Sequence, residues 1–389
     1  MSLKVGFMVY TNYLTPPQQE VFAMKTKLCI SVALAVCILT GSISCVGDTT
    51  PASSIVSPLP TSSLTAPTNL PITSATTPTT TSLTISTPVP PKPPMTDLTS
   101  DYTYTVDGGN ITIVGYLGQD EHVVIPEKIN GKIVTSIGSN AFAFLDDPTT
   151  QIYDPPSCPI SVTMPNSITS IGKRAFFLCA NLTDVIMSDS IISIGNGAFA
   201  GCVSLAAITI PEGVTSIGDD AFAYCHSLTA IDIPSSVTDI GAAFNGCIGL
   251  TSVTIPNNIT RVSGWLFLGC DNLVSVTIEE GIVSIDDGAF AYCPSLTLIN
   301  IPEGVTSIGR EAFFRCFSLT PINIPESVTS IGSYAFCLCT SLTSLTIPDG
   351  VTYIGPDAFT ACPDLVITCS RNSYAHQYCL DNDVRFQLI

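Results

Sequence analysis

Basic charge is what this chain has least of. Thirteen Lys and Arg stand against 31 Asp and Glu, for a net charge of −18. With Lys4, Lys25, Lys27 and Glu20 of the N-terminal segment set aside, 10 basic residues face 30 acidic ones, a balance of −20. That balance argues against nucleic acid or an anionic membrane as a partner of the main body, and it favours solubility. Histidine is as scarce: His122, His226 and His376 fall in an expected strand, a corner and a terminal helix. There is no HExxH segment, no phosphate-cradling glycine loop and no calcium loop of alternating Asp or Asn with glycine. A Ser/His/Asp trio can be picked out of any chain this rich in Ser and Asp, so composition assigns no catalytic residue. The expectation is a protein that is not an enzyme, with no cofactor and no metal.

What the chain does have is a repeated text. Ile210–Leu228 reads IPEGVTSIGDDAFAYCHSL, and closely similar stretches occupy Ile301–Leu319 and Ile324–Leu342. An Ala-Phe pair marks the copies at Ala175, Ala198, Ala221, Ala243, Ala289, Ala312, Ala335 and Ala358, with Leu266-Phe267 filling the gap. The spacing is 23 residues, with one step of 22. A short fixed period over this length means stacked repeats, because one unit cannot bury its apolar face alone. Leu205, Ile208 and Ile210 form a half-buried strand pattern that Pro211 ends, since proline cannot donate to a ladder. Val214–Ile217 is a second β-prone run, closed by Gly218, a residue able to take a positive φ at a corner. Asp219–Cys225 places acidic residues ahead of an apolar turn, as a short helical or 3₁₀ turn prefers. The coil is too short for a βαβ unit of about 30 residues. The predicted fold class is therefore a β-rich repeat solenoid of about ten coils. Each coil has a parallel strand and a short helical turn, coils stand about 4.8 Å apart, and caps close both ends.

The pattern LxxLxIPxxVTSIGxxAFxxCxSL resembles the BspA-like class of bacterial leucine-rich repeats, over roughly Asp101 to Ile389. The resemblance implies a solenoid curved by its inner parallel sheet. It also implies surface display, because that class includes adhesins that bind matrix proteins and other cells. Neither extra adhesive domains nor a C-terminal sorting module is recognisable here.

Along the chain, residues 1–23 read as a dispensable or mis-assigned start. Residues 24–45 read as a signal peptide: Met24-Lys-Thr-Lys27, then the apolar run Leu28–Leu39. That run falls short of the roughly 20 residues of a membrane span. Small residues at Ser42 and Ser44 suit cleavage before Cys45, which is also the lipidation candidate, although Ser42 stands where a lipobox has leucine. The expected localisation is extracellular or cell-surface, with membrane contact only through such an anchor. Residues 46–100 form a Thr/Ser/Pro-rich linker that cannot offset chain entropy by burial. Residues 101–140 are the N-terminal cap, with strand patterns at Tyr102–Val106, Asn110–Val114 and His122–Ile125 around an Asp107-Gly108-Gly109 turn. Residues 141–364 are the array, interrupted by the Asp146–Ser157 insertion, and residues 365–389 are a helix-and-strand cap.

Nine of the 16 cysteines, from Cys179 to Cys362, recur four residues after the first residue of the pair. Equivalent side chains pointing the same way do not bridge easily, so these read as buried free thiols donating weakly to carbonyls. Their spacing lacks the paired ligands of a zinc site. Cys369 and Cys379 in the C-terminal cap are the disulfide candidate. Acidic residues cluster at coil corners, including Glu212, Asp219, Asp286 and Asp287, and read as solvated edges. The ligand-binding candidates are the strand residues facing the concave side: Thr209, Asp232, Thr254, Thr277, Asn300, Asn323 and Thr346. Such a flat, hydroxyl-rich strip suits a protein or glycan surface, engaged by a monomer. The alternative is a spacer or envelope component with no specific ligand.

Overall fold

The computed structural model describes residues 101–144 and 158–389. The start, the signal segment with Cys45, the linker and the Asp146–Ser157 insertion lie outside the described residues.

The described residues wind into a β-solenoid of stacked coils with parallel strands, and the coil can be followed along three stretches. The Val-Thr-Ser-Ile side makes two-residue strands in parallel register, with Ser216–Ile217 lying between Ser193–Ile194 and Asp239–Ile240. The row resumes at Arg261–Val262 and runs to Tyr353–Ile354. The side after the leucine makes a second row, clearest at Ser252–Ile255 on Ser275–Ile278, where inward Val and Ile alternate with outward Ser and Thr. Leu182, Leu205, Leu228, Leu250, Leu273, Leu296, Leu319 and Leu342 at its entry are fully buried.

The third side departs from expectation. In place of a helical turn, Ala221, Ala223 and Cys225 donate to the carbonyls three residues back, at Gly218, Asp220 and Phe222. The amides between them, on Asp220, Phe222 and Tyr224, donate to Ala242, Ala243 and Asn245 of the next coil. A 3₁₀ segment keeps every amide to itself; here alternate amides are shared, so the turns form a ribbon that binds coil to coil. The alternation needs left-handed residues, and Asp220 (φ 56°) and Tyr224 (φ 59°) supply them. Non-glycine residues lose about 1–2 kcal/mol in that conformation, and the intercoil bonds offset the loss.

The role expected of Gly218 is also corrected. Its φ is not positive, and left-handed positions fall elsewhere in the coil. A Cβ on Gly218 would lie 2.6 Å from the Asn196 backbone nitrogen. Gly172, Gly195, Gly332 and Gly355 face the preceding coil's backbone at similarly short range. Glycine stands there because successive coils touch.

At the centre, Phe142, Phe176, Phe199, Phe222, Phe244, Phe267, Phe290, Phe313, Phe336 and Phe359 stack one per coil. Their centroids are 4.9–5.7 Å apart and their planes lie within 16°. These are the ten expected coils; with the capping turns the stack has about twelve. Tyr116 closes the column at 5.2 Å from Phe142, and Tyr378 meets Phe359 edge-on at 5.9 Å. The N-terminal hairpin Tyr102–Asp107/Asn110–Tyr116 forms as its Gly108-Gly109 turn requires, and its second strand lies parallel to Lys132–Ile137. A second hairpin, Lys128–Ile129 with Lys132–Ile137, turns at Asn130-Gly131, a signal that sequence reading passed over. The C-terminal cap is helix Tyr374–Asp381, whose first turn is capped by Ser373, and strand Phe386–Leu388 on Val366–Cys369.

Candidate functional site: the exposed hydroxyl row

The cysteine row forms inside the array as expected. Each of the nine Sγ atoms donates to the phenylalanine carbonyl of the preceding coil, at 3.1–3.3 Å. That carbonyl also accepts the amide three residues on, as Phe222 does from Cys225. Both lone pairs of a buried oxygen are thus used. Burial pushes the thiols up, Cys247 to about 12 and Cys225 well above its ordinary value. Cys369 and Cys379 are both buried and their thiols hydrogen-bond to each other without being bridged.

Two rows of threonine also join coils. Thr215, Thr238, Thr306, Thr329 and Thr352 donate their hydroxyls to the backbone of the preceding coil, and Thr183, Thr251, Thr297 and Thr320 do so on another side. These hydroxyls are structural; hydroxyl chemistry in the sequence does not by itself mark the binding face.

The corner carboxylates are not all merely solvated. Asp219 accepts the Ala242 amide at 3.1 Å, where the coil is one residue short, and Asp287 accepts that of Arg310 at 2.7 Å. Glu311 is buried, 5% exposed, and holds the Arg310 guanidinium at 2.8 Å. Nothing in residue type singled out Glu311, which sits at a left-handed position (φ 57°) and accepts from Arg310 Nε at 2.9 Å. No cluster of three metal-ligating residues exists among the described residues. Burial lowers the pKa of His226, and it raises that of its charge neighbour Asp271. Both shifts favour the neutral forms.

The seven candidates are all brought to one face. Thr209, Asp232, Thr254, Thr277, Asn300, Asn323 and Thr346 are exposed, one per coil, between buried Ile, Val and Leu neighbours. Thr254 pairs with Thr277, Asn323 with Thr346, and Thr346 with Thr368. With strands about 4.8 Å apart, such residues form a regular row. The row runs further than sequence reading took it. Thr368 accepts a hydrogen bond from Gln387 Nε2 at 2.8 Å at the C-terminal end. At the other end Val124 pairs with Thr163 and Thr163 with Ile186, so exposed Val124 and Ile186 there flank a threonine, with Val124 64% exposed. These positions were legible from the period but not assigned. A cavity of about 420 Å³ lies away from the row, lined by Asp357, Thr360, Cys362, Asn382 and Arg385 at the C-terminal cap. A second, of about 370 Å³, lies beside Asp286 and Asp287.

Comparison with known proteins agrees with this geometry. The BspA-type leucine-rich repeat region matches in six copies, over residues 156–274 and 265–382. No curated protein matches. Among solved structures, a leucine-rich repeat protein of T. pallidum is 31% identical, covering 51% of this chain and 88% of that one, with a TM-score of 0.45. A leucine-rich cell surface protein of Faecalibacterium prausnitzii is 27% identical over 72% of this chain and 95% of its own, at a TM-score of 0.34. The pneumococcal vaccine antigen PcpA is 20% identical over 74% and 96%, at 0.42. The family match spans more than half of the chain, and its repeat is the coil that carries the phenylalanine column. The chain belongs to the BspA-type leucine-rich repeat family.

Proposed function

We propose that this is an exported, non-catalytic binding protein, displayed at the cell surface or released, that engages a protein or glycan surface through the hydroxyl row. One observation carries the reading: small hydroxyl and amide side chains stand exposed and in register on one face, coil after coil. A flat, repetitive surface of this kind offers many weak hydrogen bonds to an extended partner, and no enclosing pocket for a small molecule. Surface display is supported by membership of the family and by the Met24–Leu39 pattern. Lipidation at Cys45 is the anchoring route that goes with it, and the capped ends of the stack suit a monomer.

The test is a screen of the purified chain against matrix proteins and glycans, followed by a variant with Thr254, Thr277 and Asn300 all changed to Glu. Charge and bulk placed on a flat interface add clashes and unpaired groups without touching the core. The variant is expected to stay folded by circular dichroism and to lose binding at least about tenfold, roughly 1.4 kcal/mol. A control variant carrying three charges on the convex corners is expected to bind normally. No ligand in the screen favours the spacer reading, and normal binding by the row variant moves recognition to another surface of the array.

A further inference from the structure

Two sulfurs converge on one oxygen where the cysteine row begins. Cys179 donates its thiol to the Phe142 carbonyl oxygen at 3.1 Å, as each row cysteine does to the phenylalanine one coil earlier. Cys158 donates to the same oxygen at 3.5 Å. Cys158 also lies near enough to Cys179 to add to the upward push that burial gives the Cys179 thiol. Further along, Cys202, Cys225, Cys247 and their successors each aim at a carbonyl of their own.

Register explains the difference. Row cysteines occupy one position in successive coils, so their Cα–Cβ bonds run side by side. Their sulfurs do not face each other, even with Cα atoms near the 4.8 Å coil spacing. Cys158 is not a row residue. The Ile160 carbonyl accepts the Thr183 amide as that of Thr229 accepts the Thr251 amide. This sets Ile160 opposite Thr183 and Cys158 opposite Asn181. Its side chain reaches the row obliquely, across from Cys179 rather than in line with it. Cys179 is buried, whereas Cys158 is only partly so. A small reagent therefore meets the pair at Cys158.

We propose that Cys158 and Cys179 form a disulfide under oxidising conditions, pinning the chain after the insertion to the first cysteine of the row while the interior row stays reduced. The step is exchange with a low-molecular-weight disulfide. The Cys158 thiolate attacks that disulfide, bonding to one half and releasing the other as a thiol. Cys179 gives up its proton to solvent base and attacks the Cys158 sulfur, displacing the second half. Two protein thiols are oxidised and one small disulfide is reduced to two thiols. Desolvation keeps Cys179 protonated well above the ordinary thiol range, so the second exchange is the slower one and quickens as pH rises.

The experiment takes the full chain through oxidised glutathione, alkylation under denaturing conditions, and peptide mapping by mass spectrometry. The expected result is a Cys158–Cys179 linked peptide, with Cys202 through Cys339 recovered alkylated. The thermal midpoint of the oxidised chain should exceed that of the reduced chain, and the difference should vanish in Cys158→Ser. Should Cys158→Ser fail to fold, the linked peptide in the unaltered chain decides alone. Recovery of both cysteines as alkylated thiols overturns the proposal. So does a glutathione adduct on Cys158 with Cys179 still free after prolonged alkaline oxidation, or a link from Cys158 to any other cysteine.

Discussion

A buried thiol in this protein fills a gap that alanine would leave open: it supplies a donor to a carbonyl that has a spare lone pair. The same burial makes the row a liability in alkali. An unfolded Cys247 ionises near its ordinary 9.0, whereas the folded one stays protonated to about 12. The folded pKa is the raised one, so the stabilisation is intact below about pH 9 and is lost as pH climbs through the folded value. The loss is about 1.4 kcal/mol per pH unit for each such thiol. Urea midpoints are expected to fall steeply between about pH 9 and pH 11, and less steeply in Cys247→Ala; equal slopes would show that the thiols do not carry the effect. Corner carboxylates are expected to divide by hydrogen bonding. Asp219→Ala removes the acceptor of the Ala242 amide and should cost about 1 kcal/mol. Glu212→Ala removes an exposed side chain and should stay within about 0.5 kcal/mol. Urea unfolding of the two variants separates these outcomes.

Each coil is held by an exchange of alternate amides with its neighbours, and glycines serve two different needs within it. Gly269 is left-handed, at φ 68°, with open space where a Cβ would go. Gly218 has an ordinary φ and no room for one. Asparagine tolerates the left-handed region better than other residues with a side chain. Gly269→Asn should therefore cost less than about 1 kcal/mol. Gly218→Asn must push two coils apart and should cost about 3 kcal/mol. Thermal melts of the pair test this; a costly Gly269→Asn beside a mild Gly218→Asn would reverse the assignment of the two roles.

At the scale of the whole array, stability is a sum of coil and nearest-neighbour terms. Phe222 is fully buried and lies between Phe199 at 5.4 Å and Phe244 at 5.7 Å. Phe222→Ala should cost about 3–5 kcal/mol. Because two interfaces lose a ring face, hydrogen exchange should quicken in the coils on both sides of the substitution. Exchange quickened only within Asp219–Cys225 would mean the coils do not share stability.

The period, the phenylalanine column, the thiol row, the outward face of Thr254 and Thr277 and both caps follow from the sequence alone. A regular repeat decides which side chains face alike, and that information is local. What only the tertiary structure decided are the contacts between coils: Gly218 as a point of touch, Asp219 as an acceptor for the short coil, Glu311 turned inward, and Cys158 beside Cys179. Each depends on the distance from one coil to the next and on which amide finds a partner within its own turn. That distance is set jointly by the stacked rings and the shared amides, and no single repeat contains it.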